Sequence, residues 1–233
     1  MLERDPGATV GAILLDALGT LIELEPPAQF LRAELAARFG VRLSETEAQR
    51  AIAAEIAYYR RHFDEGRDEA SLVRLRRRCA RALREAIPAE LARRLPPADG
   101  LVDALLASLH FRLYPDVLPA LGDYRARRLR IVVVSNWDVS LHAVLRRLRV
   151  TPMVDGIVTS AEAGARKPAP AIFELALERA GIPARNAVHV GDSFDEDVAG
   201  ARSAGIEPVL VNRDGTPGPR GVATIASLAE LLG

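Results

Sequence analysis

Short runs of consecutive apolar residues alternate along this chain with longer stretches in which apolar positions recur every three or four residues. The runs Ala12 to Leu15, Ile131 to Val134, Gly156 to Thr159, Ala187 to Val190 and Pro208 to Val211 read as strands buried on both faces. The stretches Val117 to Arg128, Val139 to Arg149, Pro170 to Ala180 and Glu196 to Ala204 read as amphipathic helices. Strand, helix and strand in succession predict an α/β fold with a parallel sheet. Right-handed crossovers then put helices on both faces, and ligands bind beyond the carboxyl ends of the strands where the strand order reverses.

Between about Ile22 and Ser108 the pattern changes. No convincing strand is visible there, and helices are predicted over Pro27 to Phe39, Glu45 to His62, Asp68 to Ile87 and Ala98 to Leu109. In the third, Leu72, Leu75, Cys79, Leu83 and Ile87 follow one stripe while Arg74, Arg77, Arg78, Arg81 and Arg84 fall opposite, as a solvated face would. The expected organisation is a core domain, 1–21 and 109–233, and an all-helical cap domain, 22–108, inserted after the first strand.

Composition narrows the function. The chain has 233 residues, 49% of them hydrophobic and 27% charged, which excludes a mainly disordered protein. Thirty-one Lys plus Arg balance thirty-one Asp plus Glu. With no global positive field, neither nucleic acid nor an anionic membrane is an expected partner. A single cysteine, Cys79, excludes an internal disulfide framework and a thiolate zinc cluster. No apolar run approaches the roughly 18 residues of a membrane helix. Met1 to Pro6 shows no basic segment leading into an apolar one, so a cytoplasmic location is expected. Lysine occurs once, at Lys167, against thirty arginines. Its retention marks a position where a compact ammonium does what a planar guanidinium does not.

Candidate chemistry gathers at the predicted strand ends. Asp16-Ala17-Leu18-Gly19-Thr20 places a carboxylate where it could attack a phosphoryl group, or merely cap a turn. Ser135-Asn136 offers a hydroxyl and exposed N–H groups, with Asp138 expected to be the N-cap of the next helix. Lys167 is flanked by Pro168 and Pro170, which restrict the backbone. Gly191-Asp192-Ser193-Phe194-Asp195-Glu196-Asp197 carries four acids in six positions. Asp195 and Glu196 suit a helix N-terminus. Convergence of Asp192 with Asp16 would instead demand a cation, and oxygen donors without His or Cys favour Mg²⁺.

The order Asp, Ser, Lys and Asp-x-x-x-x-Asp, each at a predicted strand end or in the loop after it, resembles the haloacid dehalogenase-like (HAD) hydrolase superfamily, in a form with a helical cap. The resemblance implies an aspartyl intermediate on Asp16, phosphoryl binding by Ser135 and the Asn136 backbone, and charge neutralisation by Lys167. It further implies support of the loop by the Thr20 hydroxyl, and Mg²⁺ held by Asp16, Asp192 and the carbonyl of Leu18, with Asp197 holding the metal's waters or the lysine. A Rossmann-like parallel-sheet core, a mobile helical lid and a small phosphorylated substrate are implied too. His189, inside its strand, is read as a core residue. One position departs from the pattern. Phosphatases of the superfamily place a second Asp two residues after the nucleophile, to protonate the leaving group; here that position is Leu18, and general acid/base help worth roughly 10² to 10⁴ is missing. The expected function is therefore a Mg²⁺-dependent phosphohydrolase with weakened acid/base catalysis. The alternatives are a catalytically weak binding or regulatory protein, and a 2-haloacid dehalogenase. The acidic fourth-strand motif argues against the last, because dehalogenases carry Ser-x-Asn there.

Overall fold

The structure, a computed structural model, describes residues 10–232, so the segment Met1 to Pro6 lies outside the described residues. The chain divides into two compact units, one comprising Met1–Glu23 and Leu113–Gly233, the other Leu24–Arg112.

The first unit is built on a six-stranded parallel sheet. In chain order its strands are β1 (Ala12–Leu15), β4 (Arg130–Ser135), β5 (Gly156–Thr159), β6 (Ala187–Gly191), β7 (Glu207–Val211) and β8 (Ala223–Ile225), and they lie in the order β5-β4-β1-β6-β7-β8. Five of the six form where the apolar runs predicted them, because such runs are dry on both faces: every residue of β1 is fully buried. The edge strand β8 was not predicted; it is three residues long and half-buried, so no apolar run marks it. One face is closed by a cluster of Leu14, Val132, Val134, Phe173 and Ile206 with their neighbours. After β1 the chain moves outward on one side through β4 and β5, then returns to the other side of β1 with β6. The order reverses at β1, the place where the carboxyl ends open a crevice.

Register fixes what lies at that crevice. Leu15 pairs with Val133 of β4 and Val190 of β6, and the Asp16 N–H donates to Val190 O at 2.9 Å. The first residue past β1 is thus held between the ends of its two neighbours.

The second unit is helical, with its main helices at Pro27–Phe39, Glu45–His62, Glu69–Glu85 and Val102–Ser108. The second helix starts at a capping box, Ser44 with Glu47, and the third at Asp68 with Ser71. Leu31, Leu35, Leu75, Leu83 and Leu105 meet in its core. On the third helix the apolar stripe is buried as its spacing predicts; Arg78 pairs with Glu65, and Arg84 caps the carbonyls of Ala92 and Pro96. The expected helix Ala98 to Leu109 instead begins with a tight 3₁₀ turn, Ala98–Leu101.

The absence of strands after Ile22 is corrected by the structure. Two short strands, β2 (Ile22–Leu24) and β3 (Phe111–Leu113), form a separate two-stranded sheet at the two points where the chain passes between units. Each is three residues long and interrupted by a charged residue, Glu23 or Arg112, so neither shows a period of its own. Among the described residues, no helix is long and apolar enough to cross a membrane.

Glu55 is the anomaly of the helical core. It is 5% exposed, hydrogen-bonded to the Cys79 thiol, and burial pushes its carboxyl up to about 7 from 4.5. The folded state keeps this proton to a higher pH than the unfolded chain. Stability is therefore fully present below about 4.5, falls as pH rises towards 7, and is flat above. Glu55→Gln is expected to raise stability at pH 8 by about 1–3 kcal/mol and to leave it nearly unchanged at pH 4. Chemical denaturation at both pH values checks this; equal effects at the two would show that the carboxyl is not buried.

Candidate active site

Four strand ends and the turns after them deliver the polar residues. Asp16, 5% exposed, receives the Ser135 hydroxyl at 3.1 Å and the Lys167 ammonium at 2.6 Å, both on Oδ1. Lys167 is 2% exposed, and its Nζ also donates to Asp197 Oδ1 at 2.5 Å. Burial works against the charged ammonium, yet Asp16 and Asp197 more than offset this and hold its pKa above the ordinary lysine value. A guanidinium is wider and would not fit between two carboxylates at these separations, which accounts for the one retained lysine.

Asn136 places that lysine. Its Oδ1 accepts from the Lys167 backbone N–H at 2.7 Å and its Nδ2 donates to the Lys167 carbonyl at 3.0 Å, so the side chain holds the peptide groups on both sides of the Lys167 Cα. Nδ2 donates as well to Glu196 Oε2 at 2.9 Å.

Asp197, 1% exposed, sits in the wide, π-helical turn Phe194–Val198 that follows β6. Its Oδ1 also meets His189 Nε2 at 2.8 Å, and its Oδ2 accepts from the Ser193 N–H at 3.0 Å. Burial alone would raise this carboxyl; Lys167 and His189 hold it well below the carboxylate range instead. Gly191 makes room for it, since a Cβ at that position would lie 2.1 Å from Asp197 Cγ.

Asp192 completes the cluster. The residue is solvent-facing, but one oxygen of each of Asp16, Asp192 and Asp197 lies within 4.8 Å of the others. Partial burial, followed by the negative charges of Asp16 and Asp197, pushes the Asp192 carboxyl up to about 7. Gly19, at φ +85°, lets the loop after Asp16 approach Asp192 closely; a Cβ there would fall 2.0 Å from Asp192 Oδ2. Lys167 neutralises one negative charge of three, so the donor set fits a hard divalent cation bound by oxygens. Asp16 and Asp192 are the carboxylates available to it, because both oxygens of Asp197 already accept from protein donors.

The remaining candidates fall in less expected places. Leu18 is 37% exposed on the loop beside Asp192. Thr20 is fully buried and its hydroxyl has no hydrogen-bond partner among the described residues, so it makes no bond to Asp16. The Thr20 carbonyl does the anchoring: it accepts from Arg213, whose guanidinium also pairs with Asp116 at 2.7 Å and lies 4.2 Å from the centre of the Tyr114 ring. Asp138 is not the N-cap of the next helix; that helix, Leu141–Arg147, starts after Ser140, and Asp138 Oδ1 accepts from the Ser140 N–H at 2.7 Å within the preceding turn. Asp195 and Glu196 lie in the first turn after Ser193, whose hydroxyl supplies the cap. Arg213 lacked any local signal in sequence, since its partners are about one hundred and two hundred positions away. His189 had one: a polar ring in an apolar strand that ends in an acidic cluster.

The profile of the haloacid dehalogenase-like hydrolase family matches residues 10–205. Haloacid dehalogenase-like hydrolase domain-containing protein 3 of Danio rerio is 41% identical over 104 residues, 45% of this chain and 43% of that protein. A glyceraldehyde 3-phosphate phosphatase of Methanothermobacter thermautotrophicus is 37% identical over 110 residues, 47% of this chain and 49% of that protein. The chain thus matches less than half the length of either relative. Among solved structures, a 2-haloacid dehalogenase from Pseudomonas syringae pv. Tomato DC3000 superposes with a TM-score of 0.67 at 25% identity, covering 96% of this chain and 97% of that one. With a family profile spanning most of its length and an α/β architecture shared with these neighbours, the chain belongs to the haloacid dehalogenase-like hydrolase family.

Proposed function

We propose that this protein is a Mg²⁺-dependent phosphohydrolase that acts on a small phosphorylated metabolite through an aspartyl phosphate at Asp16. The observation that carries the reading is the convergence of Asp16, Asp192 and Asp197 around a single buried lysine. Likeness to a relative named as a phosphatase supports it.

Both side-chain donors to Asp16 fall on Oδ1, and Oδ2 accepts from neither, which suits it to attack. Oδ2 forms a bond to phosphorus as the bond from phosphorus to the leaving oxygen breaks. Water then attacks the same phosphorus, the bond to Asp16 breaks, and phosphate leaves with the carboxylate restored. Lys167 stays charged throughout, orienting Asp16 and offsetting the negative charge of the transferring group. Asp197 holds the lysine in place, and Ser135 fixes the carboxylate plane. Mg²⁺, when held by Asp16, Asp192 and the Leu18 carbonyl, supplies further neutralisation of charge at phosphorus.

Leu18 carries no proton for the leaving oxygen, which must take one from solvent. Acyl and aryl phosphates, whose leaving groups are weak bases, suit this site better than alkyl phosphates. The same leucine favours a second reading, a family member that binds its ligand and turns over little. A dehalogenase is disfavoured by the acidic residues after β6, although the fold is shared with one.

A substrate panel with and without Mg²⁺ separates these. Slow multiple-turnover release of phosphate from an aryl phosphate is expected with Mg²⁺ and is lost in EDTA. Residues that merely orient metal ligands already contribute 10- to 100-fold to affinity, so Asp192→Asn is expected to raise the Mg²⁺ concentration for half-activation at least about 10-fold. Tight binding without turnover would establish the second reading, and halide release from a 2-haloacid in EDTA would overturn both.

A further inference from the structure

His189 belongs to a fully buried strand and is itself 0% exposed. Its neighbour in register on β1 is Leu14, and its ring packs edge-on against Phe173 at 5.0 Å and 88°. Burying an imidazole in such surroundings is costly unless its nitrogens are bonded, and an aliphatic side chain would fill the space at no such cost. Only one nitrogen is bonded. Nε2 donates to Asp197 Oδ1 at 2.8 Å, while Nδ1 has no partner among the described residues. The polar function of this ring is therefore spent on one atom, the oxygen that also accepts from Lys167 at 2.5 Å.

We propose that His189 is a positioning residue that sets the Lys167 ammonium against Asp16 by fixing the Asp197 carboxylate. Three hydrogen bonds run in series: His189 to Asp197, Asp197 to Lys167, and Lys167 to Asp16. The Ser193 N–H pins Oδ2 of Asp197 and His189 pins Oδ1, so the carboxylate plane is held at both ends. Without the imidazole donor, Oδ1 is held only by the lysine it is meant to hold. The carboxylate then turns about its Cβ–Cγ bond, and the ammonium follows it away from Asp16 Oδ1. The Phe173 edge contact fixes the ring angle and so completes the positioning.

The chain's single lysine makes this directly measurable, because lysine labelled with ¹⁵N gives one side-chain ammonium signal. His189→Phe keeps an aromatic ring against Phe173 and removes the donor; His189→Gln keeps an N–H donor. The ammonium signal of His189→Phe is expected to shift and to exchange with solvent faster, while that of His189→Gln stays near the wild-type position. With an aryl phosphate and Mg²⁺, His189→Phe is expected to lower kcat about 10- to 100-fold with KM changed less than about 3-fold, and His189→Gln to recover most of the loss. Should His189→Phe fold poorly, His189→Asn, whose amide is too short to reach Asp197, takes its place. An unchanged ammonium signal with unchanged kcat would overturn the proposal and leave His189 a packing residue. Equal losses in the Gln and Phe variants would overturn it too. The turnover arm rests on the phosphohydrolase reading, but the ammonium signal does not: a shifted signal in a protein that turns over no substrate upholds the positioning role and sinks the reading.

Discussion

Asp16→Asn is expected to lower phosphate release from an aryl phosphate by at least about 10⁴-fold, to the background rate, while the protein remains folded. The size follows from what is removed. A nucleophile that acts as a unit with its partners takes nearly the whole chemical advantage with it when it is lost, leaving only binding and charge stabilisation. Asparagine has almost the same shape as aspartate and keeps an oxygen that can accept from Ser135 and Lys167. The fold therefore has little reason to change. Lys167 retains its bond to Asp197, so no buried ammonium is left without a partner. A rate equal to wild type in Asp16→Asn would show that the carboxylate does no chemistry, whatever its place in the cluster.

Leu18→Asp is expected to act in the opposite direction, raising turnover of alkyl phosphates by about 10² or more while changing that of aryl phosphates far less. The reasoning is selective. An alkoxide is a strong base and leaves slowly unless it is protonated; a phenolate is stable and needs no donor. Position 18 is 37% exposed on the loop that abuts Asp192, so a carboxyl placed there is not forced into an apolar interior. The new group adds negative charge beside three carboxylates, which raises its own pKa and keeps a share of it protonated near neutrality, as a general acid requires. Steady-state kinetics on matched alkyl and aryl phosphates check this. An equal gain on both classes, or none on either, would mean that proton supply is not what limits this protein.

How far the residues announced these arrangements depends on range. Five strands of the main sheet were legible because a parallel strand dry on both faces reads as an unbroken apolar run, as Ala12–Leu15 and Ile131 to Val134 do; the short edge strand β8 was not. The main helices of the second unit were legible in their stripes; their capping boxes, at Ser44 and Asp68, are local contacts seen in the structure. The short strands β2 and β3 were not, since three residues carry no period and their pairing joins segments about ninety positions apart. The site divides in the same way. Asp16, Ser135 and Asp192 stand at strand ends and Lys167 in the loop that leads on from β5, where topology brings them together. Which atom bonds which is decided by side-chain geometry that spacing does not carry. The Thr20 hydroxyl, expected to help the nucleophile, is left without a partner, while its carbonyl binds Arg213. Asn136 was expected to act through its backbone, and its side chain's hold on the backbone of Lys167 had no signal in the sequence. Asp197, expected to hold the metal's waters or the lysine, bonds the lysine, and a further donor to it is the histidine that looked like core.

The covalent role of Asp16 is tested most directly by mixing the protein with Mg²⁺ and an aryl phosphate carrying radiolabelled phosphorus, quenching in acid within a single turnover, and mapping the label along the chain. Label on the peptide that contains Asp16, absent from Asp16→Asn and discharged by hydroxylamine as an acyl phosphate would be, is the expected result. Release of labelled phosphate at the wild-type rate with no label on the chain at any quench time, and at the same rate in Asp16→Asn, would contradict it.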